Sequence, residues 1–309
     1  MSKEKSFIYL IQIILGFFIL FASDIQAQLP KPTLTIETDF FGKKTLKDSP
    51  IDELKNSSAK ITSLNFKGSF SYPFIADQGN RIFFIEAQYR QRYFVYHNWP
   101  ANLSKEIDHL HEINLSFTLY QNIGRNWAMS LNVTPQLASN FEEKKLSKED
   151  FKFQGAIVFE KQFSEKWRLG FGAAYSTTFG KPIPIPLITF SYDSGNKWYA
   201  YGNLPAEMNI FYRLSNYFDL GFITKADGGM YHVPETYPEE TKIKDPELQY
   251  VSILFGPSIK FKYSRFELFF RGGLAYQKYG LYDGTKELKD YQYEFKLGHS
   301  LNGNLKIHF

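Results

Sequence analysis

The last stretch of the chain, residues 291–309, reads YQYEFKLGHSLNGNLKIHF and ends on an aromatic side chain. Its apolar residues share one parity, and they are Tyr293, Phe295, Leu297, Leu301, Leu305, Ile307 and Phe309. Its polar residues fall mainly on the other parity, and they are Gln292, Glu294, Lys296, Ser300, Asn302, Asn304, Lys306 and His308. Successive side chains of a β-strand point to opposite faces. The stretch therefore predicts a strand with one apolar face and one polar face.

Two runs upstream, at about 248–262 and 266–277, repeat this alternation. In the second run, Phe266, Leu268 and Phe270 alternate with Glu267 and Arg271. A charge that faces lipid at the middle of a membrane costs about 2 to 4 kcal/mol, so the charged face must meet water. The alternation predicts an all-β fold, namely a transmembrane antiparallel up-and-down β-barrel with lipid outside and a polar lumen inside.

The length of the last strand limits how much of it crosses lipid. At about 3.3 Å per residue and a tilt of about 40°, it exceeds an apolar band of about 25 Å. Only residues 299–309 need to lie in lipid. We therefore expect residues 291–296 to project beyond the outer surface, which removes Glu294 and Lys296 from the lumen.

Composition supports a barrel and excludes several other classes. Aromatic residues make up 18% of the chain and are scattered along it, as expected where aromatic girdles mark two membrane interfaces. After the first residues, no apolar run reaches the roughly 18 residues of a membrane-spanning helix. The net charge of +4 is spread along the chain and favours no nucleic acid partner. A soluble β-sandwich, the alternative all-β fold, is usually about 100 residues long.

The first residues predict export. Lys3 and Lys5 precede an apolar run over residues 7–22, and Ile25-Gln26-Ala27 forms a cleavage site with a small final residue. This order is typical of a secretory signal peptide, so we expect a signal peptide over residues 1–27 and a single barrel domain over residues 28–309. The chain has no cysteine, which excludes a lipid-modified cysteine anchor and disulfides.

The number of strands follows from counting runs of alternation. Eleven earlier runs precede the three already described, at about 32–41, 59–73, 82–96, 110–122, 126–138, 150–162, 166–178, 183–193, 196–203, 206–214 and 217–231. Fourteen is even, as a bacterial single-chain barrel requires. Pro205 favours a turn between two short strands; a single strand there would give twelve. The long connectors, expected on the outer side, are 42–58, 98–107, 140–149, 234–246 and 282–289.

The polar parity supplies candidate residues for the lumen. These are Glu86, Gln88, Arg90, Arg92, Glu160, Arg168, Arg213, Asp219, Lys260, Lys262, Glu267 and Arg271. Charged side chains around a pore select the solutes that pass. The same charges can instead pair across the interior and fill it, and the sequence leaves both alternatives open.

The histidines suggest two further kinds of site, a metal site and a hydrolase site. His109 and His111 share one face, but two histidines fall short of the three or four ligands that a metal needs, so no metal site and no cofactor are assigned. A lipid hydrolase would need a nucleophile and a base on the outward face. His299, expected opposite about Phe270, is the candidate base, and Thr38 is a poor candidate nucleophile. No catalytic residue is assigned.

Three short motifs carry a resemblance to a known family. They are the Lys197-Trp198 turn followed by Leu204-Pro205, the strand end Tyr212-Arg213-Leu214-Ser215, and the terminal Leu305-Lys306-Ile307-His308-Phe309. With them the chain resembles an outer-membrane β-barrel family known only as a domain of unknown function, and more loosely barrels linked to export or uptake of aromatic compounds. The terminal motif, with Leu305, Ile307 and Phe309, is similar to the signal that the barrel assembly machinery reads.

These observations predict a Gram-negative outer-membrane barrel that acts as a passive channel or transporter for small or apolar solutes. The alternative is a structural barrel that presents its loops to a partner, and an acyl hydrolase is the third hypothesis. The expected partners are outer-membrane lipids and lipopolysaccharide, the barrel assembly machinery and periplasmic chaperones.

Overall fold

The computed structural model describes residues 30–48, 58–98, 107–142, 146–180, 182–234, 246–284 and 286–309. The predicted signal peptide lies outside the described residues. The strands are β1 (Thr33–Asp48), β2 (Lys60–Ala76), β3 (Arg81–His97), β4 (His109–Gly124), β5 (Trp127–Ser139), β6 (Phe151–Gln162), β7 (Trp167–Ser176), β8 (Ile183–Asp193), β9 (Trp198–Leu204), β10 (Glu207–Arg213), β11 (Phe218–His232), β12 (Pro246–Tyr263), β13 (Phe266–Asp283) and β14 (Lys286–His308). No helix in the described residues is long and apolar enough to cross a membrane.

The fourteen strands form one closed antiparallel barrel. Each strand pairs with the next along the chain, and β1 pairs with β14 to close the sheet, with Thr33 opposite His308. Closure leaves no free edge whose backbone groups would lack partners in lipid. Pro205 lies in the turn between β9 and β10, as predicted. The transmembrane fold and the count of fourteen are therefore confirmed, and twelve is excluded.

The outer surface has the apolar belt of a membrane protein. Large apolar side chains on the outward parity are exposed, among them Phe40, Leu64, Phe66, Leu115, Phe117, Leu131, Phe171, Ile188, Leu220, Phe222, Ile259, Phe270 and Leu301. Aromatic residues lie beside the short turns, and the exposed ones are Phe163, Trp167, Trp198, Tyr217 and Tyr263. Short turns mark the periplasmic end of an outer-membrane barrel, and an aromatic girdle marks an interface. The long connections therefore face outward from the cell.

The strands divide into two walls of unequal height. The short wall consists of β6 to β10, which have 12, 10, 11, 7 and 7 residues. The long wall consists of β11 to β14 and β1 to β5, whose strands have 13 to 23 residues. Above the short wall, β11 crosses to β5: His232 pairs with Ser139, and the Ser139 hydroxyl donates to the His232 carbonyl at 2.9 Å. The outer end of the long wall thereby closes on itself.

An apolar core fills the space inside this closed outer end. It consists of Ala59, Ile61, Phe94, Ile107, Leu110, Ala138, Tyr231, Val233, Leu248, Tyr250, Tyr279, Leu281, Tyr293 and Phe295. We call this set the outer core. Its members come from the lumen-facing parity of the long strands and, for Ala59, Ile107 and Val233, from residues just beyond the strand ends. The lumen is therefore apolar at its outer end and polar below.

Two members of the outer core correct a prediction. Tyr293 and Phe295 were expected on the outward apolar parity of the last strand, beyond the outer surface, but both are buried inside the barrel. Their register explains the difference, because Ala275 pairs with Gly298 whereas Gln277 pairs with Phe295, so β14 has one extra residue between the two pairs. Such a β-bulge shifts the alternation by one residue. The single parity predicted for the whole strand was therefore wrong above the bulge.

The neighbouring strand β1 bulges at the same height. Its partners on β2 shift between Phe41 and Lys44, so both of these side chains point inward. A side-chain carbon on Gly298 would lie 2.6 Å from the Lys44 side chain, so glycine is needed there to make room for the lysine.

The predicted connector over residues 282–289 was also wrong. β13 runs to Asp283 and β14 begins at Lys286, and these two residues pair. The hairpin and the bulge place His299 opposite Leu274 rather than the expected Phe270. β1 likewise extends to Asp48, into the connector predicted over 42–58. Most of the connectors at 98–107 and 234–246 lies outside the described residues.

Candidate functional site

The twelve candidate lumen residues fall into two groups. Six border two cavities inside the barrel, and they are Glu86, Gln88, Arg90, Lys260, Glu267 and Arg271. The other six lie in hydrogen bonds, ion pairs or ring contacts, and they are Arg92, Glu160, Arg168, Arg213, Asp219 and Lys262.

A buried charge cluster lies directly beneath the outer core. Arg92, which is 0% exposed, donates from Nε to the Tyr231 hydroxyl at 2.8 Å and from Nη1 to Asp227 Oδ2 at 2.9 Å. Arg90 contacts the other Asp227 oxygen at 3.1 Å and Glu112 at 3.4 Å. We call these five residues the Arg92 cluster. It connects β3 and β4 to β11 on the opposite side of the lumen.

The cluster and the outer core form a continuous barrier. The Arg92 guanidinium lies 4.4 Å from the centroid of the Tyr250 ring, which belongs to the outer core. The Tyr231 hydroxyl donates to Glu112 at 3.0 Å, so Tyr231 belongs to both sets. Arg92 therefore does not face an open aqueous path, and the described outer end of the lumen is closed.

The upper cavity, of about 300 Å³, lies below this barrier and beside the short wall. Amide and hydroxyl groups dominate its lining. Gln154 donates to Gln136 at 2.8 Å and accepts from Ser176 at 2.8 Å, and Ser116 and Thr134 lie 2.8 Å apart. These side chains can donate and accept hydrogen bonds but are uncharged, so the upper cavity suits polar groups.

The lower cavity, of about 320 Å³, is lined by charge of both signs. Its basic residues are Lys67, Lys225, Lys260, Arg271 and Lys306, and its acidic residues are Glu37, Glu86, Glu207 and Glu267. Glu207 also lines the upper cavity, so the two cavities adjoin at this residue.

The strongest ion pairs of the lower cavity surround Glu37. Its carboxylate contacts the ammonium groups of Lys67 and Lys225, the latter at 2.8 Å, and accepts from the Asn302 amide at 3.2 Å. Arg271, beside it, donates to Asp39 at 3.1 Å. Cations thus saturate the carboxylates on this side of the cavity.

An aromatic wall bounds the opposite side. Tyr199 stacks on Phe211 with ring centroids 5.0 Å apart, and the Tyr199 and Tyr201 rings are parallel within 4°. The Lys260 ammonium lies 4.3 Å from the centroid of Phe211. Ammonium groups are attracted to ring faces, so this lysine is fixed against the wall.

Near the periplasmic rim, ion pairs and hydrogen bonds join strands that are adjacent or two apart in the barrel. Asp219 accepts from the Tyr199 hydroxyl at 2.6 Å and contacts Lys262 at 2.6 Å. Arg213 donates two hydrogen bonds to Asp193, at 2.9 and 2.5 Å. Glu160 accepts from Thr189 at 2.8 Å and lies 4.0 Å from Arg168. These pairs lie along the wall rather than across the lumen.

The structure does not assemble the other two sites considered. His111 bonds to the Tyr89 hydroxyl at 2.8 Å, and no group of three or more histidine, aspartate or glutamate side chains in the described residues is placed to hold a metal. His299 is exposed on the outward face, and within the described part of the chain its ring makes no hydrogen bond. Thr38, on the neighbouring strand β1, also points outward, but it lies four strand positions away from His299.

Several residues of the interior were missing from the predicted set. Glu37, Lys225, Asp227 and Tyr231 carry its best hydrogen bonds. Lys225 and Asp227 share a parity with Asp219, so the alternation along the predicted strand at 217–231 contained the signal. Nothing in the sequence indicated that Tyr231 faces the interior, because aromatic residues also mark lipid-facing positions.

A closed barrel with a lipid-facing apolar belt, an aromatic rim and a polar interior defines an outer-membrane β-barrel protein. The chain belongs to the family described as a domain of unknown function (DUF6268), whose model matches residues 23–309. This confirms the predicted resemblance. Among curated proteins no sequence matches this chain.

Solved barrels are similar over most of the chain. The COG4313 outer membrane channel from Pseudomonas putida F1 is 11% identical, with 93% of this chain and 99% of that chain covered and a TM-score of 0.48. A Pseudomonas aeruginosa FadL homologue is 8% identical, with 89% of each chain covered and a TM-score of 0.40. A deletion mutant of the TodX monoaromatic hydrocarbon channel is 9% identical, with 91% of each covered and a TM-score of 0.40.

Proposed function

We propose that the protein is a gated outer-membrane channel for small polar solutes. The observation that carries this proposal is the pair of polar cavities, about 300 and 320 Å³, which adjoin at Glu207 inside the barrel. A barrel that served only as a scaffold would have no need of unfilled polar space. The cavities have the size of small-molecule sites.

The lining favours polar solutes. Amides, hydroxyls and paired charges surround both cavities, and an apolar solute would displace water from these groups without replacing its hydrogen bonds. The proposal therefore keeps the small solutes of the sequence-based prediction and replaces apolar ones with polar ones.

Passage requires the outer end to open. The outer core and the Arg92 cluster close the lumen above the upper cavity, and β11 contributes to both through Tyr231. Movement of the outer parts of β11 and β12 away from β5 would connect the upper cavity with the exterior. This movement breaks two hydrogen bonds to the His232 carbonyl, one from the Ser139 hydroxyl and one from the Asn140 backbone N–H.

Planar-bilayer recording of the purified, folded barrel tests the proposal. We expect discrete conductance steps that become more frequent in Asp227→Asn, because this substitution removes the negative charge, and one of the two acceptor oxygens, that hold Arg90 and Arg92. Glu294→Gln, which alters an exposed pair with Lys47 on the outer face, is the control and should conduct like the wild type. Absence of conductance in all three proteins would refute the channel.

The filled outer end favours a second candidate function, a barrel that presents its outer surface to a partner. In that case neither the wild type nor Asp227→Asn conducts, and removal of residues 235–245 abolishes partner binding while the barrel still assembles. Folding is checked for each variant by its heat-dependent mobility on gels.

A further inference from the structure

One buried cation of the lower cavity lacks a hydrogen-bond acceptor. The Lys260 side chain is 9% exposed, and its nearest carboxylate oxygen, Glu267 Oε1, lies 3.9 Å away. No hydrogen bond to its ammonium is formed within the described residues. An ammonium carries three donors, so those of Lys260 are left for water or a ligand in the cavity. The ammonium borders the cavity, so a bound anion can reach it.

A second cation converges on the same place. Lys306, whose side chain is 42% exposed, lies 3.8 Å from the same Glu267 oxygen and also lines the cavity. Both ammonium groups thus lie within 4 Å of one Glu267 oxygen. A ligand carboxylate placed between them can therefore contact both lysines. The two lysines share a single carboxylate at distances beyond a hydrogen bond, so this corner has an excess of positive charge.

The contrast with the rest of the cavity argues for an anion rather than a cation. Glu37 is neutralised by two lysines, and Asp39 accepts from Arg271 and Asn302. The acids on the Glu37 side are therefore paired at hydrogen-bond distance, whereas Lys260 and Lys306 lie 3.9 and 3.8 Å from their nearest carboxylate oxygen.

The aromatic wall adds a second element of recognition. Tyr201 lines the cavity and is 38% exposed, and it lies beside the ring stack that holds Lys260. A flat apolar group of a ligand can stack on this ring while its anionic end reaches the lysines. Ring pairs of this kind contribute affinity beyond simple burial.

We infer that the lower cavity binds a small carboxylate that carries a flat apolar ring, with the carboxylate between Lys260 and Lys306 and the ring on Tyr201. This inference names the solute class of the proposed channel and therefore rests on that function. The binding itself is measurable without transport.

The experiment titrates the folded barrel in detergent with benzoate and follows the ligand by NMR, with empty micelles as the blank. Benzamide, the neutral isostere, and acetate, which lacks the ring, are the comparison ligands. We expect saturable benzoate binding that is at least tenfold tighter than binding of either comparison ligand, because each lacks one of the two elements. Equal affinity for benzamide would overturn the anion site.

Variants locate the site. Lys260→Met should weaken benzoate binding at least tenfold, and Lys260→Arg should restore most of the affinity. The matched control is Lys161→Met. Lys161 also lies over aromatic rings, with its ammonium 5.4 Å from the Trp127 ring, but on the lipid-facing side of the barrel wall. Unchanged affinity in Lys260→Met, or an equal loss in Lys161→Met, would overturn the inference.

Three further outcomes are decisive. If Lys260→Met does not fold, Lys306→Met is tested instead, because the Lys306 side chain is 42% exposed and its truncation should leave folding intact. A benzoate affinity of Lys306→Met equal to that of the wild type then refutes the site. Conductance without saturable benzoate binding refutes the site and leaves the channel intact. Benzoate binding without conductance supports the site and removes the channel.

Discussion

The long wall and the short wall of this barrel share the same alternation of inward and outward side chains, but only the long wall closes the lumen. In the long wall the strands continue outward, bend together where β11 meets β5, and bury an apolar core. In the short wall β6 to β10 end early, so none of their side chains joins that core. Strand length, rather than a plug domain, therefore closes the outer end of this lumen.

The two walls also place their charges differently. The Arg92 cluster joins opposite sides of the lumen and is buried. The Arg213–Asp193 pair joins β10 and β8, two strands apart in the short wall, near the rim, with side chains 32% and 47% exposed. Because exposed pairs contribute little and broken buried pairs cost much, the same substitution should have unequal effects in the two walls.

The largest expected effect is that of Asp227→Asn in the long wall. It leaves the guanidinium groups of Arg90 and Arg92 with one fewer negative partner, and a buried pair that loses one member costs about 3 to 5 kcal/mol. We expect the free energy of unfolding in urea to fall by about that amount. The measurement is the urea unfolding of the folded barrel in lipid vesicles.

Asp193→Asn is the matched control in the short wall. Its partner Arg213 is partly exposed, so we expect a loss below about 1 kcal/mol. Equal losses for the two variants would contradict the distinction between the walls.

A smaller effect is expected from Leu248→Ala in the outer core. Leu248 is 2% exposed, and truncation of a buried leucine costs about 2 to 5 kcal/mol, part of it from the cavity that remains. Leu169→Ala on the outward face of β7 should cost less, because lipid chains fill the space. The unfolding free energy of both variants checks this, and a larger loss at Leu169 would show that the outer core is loosely packed.

The smallest effect concerns pH at the junction of β11 and β5. Burial opposes ionisation of Asp150, but hydrogen bonds from the Ser147 N–H and from the His232 ring outweigh it and lower the pKa of this carboxyl. A lowered pKa adds stability that is present above the ordinary aspartate value of about 3.9 and is lost as the pH falls below it.

Comparison with Asp150→Asn isolates this contribution. The wild type should be more stable by about 1 kcal/mol at pH 7, and the difference should shrink as the pH falls to 3. Urea unfolding at both pH values measures it. A difference that stays constant with pH would show that the charge of Asp150 has no part in the junction.

Sequence reasoning succeeded where each strand carries its own pattern. β12 and β13 alternate without interruption, so Ile259 and Phe270 were placed outward and Lys260 and Arg271 inward from the sequence. It failed at Tyr293 and Phe295, because a bulge inverts the faces without breaking the apolar pattern. Gly298, an isolated glycine within a strand pattern, was the one local sign of that bulge.

The sequence by itself determined the barrel, an even count of fourteen or twelve strands and the polar character of its interior, because these follow from local alternation and from the even count that closure requires. Only the tertiary structure decided that the outer end is closed, that Arg92 meets Asp227 and Tyr231, and that Lys260 lacks an acceptor. The physical reason is that these contacts join residues as far as 139 positions apart in the chain, as in the Arg92 to Tyr231 hydrogen bond. Such contacts depend on how strands of unequal length curve around a common lumen, and no local pattern encodes that.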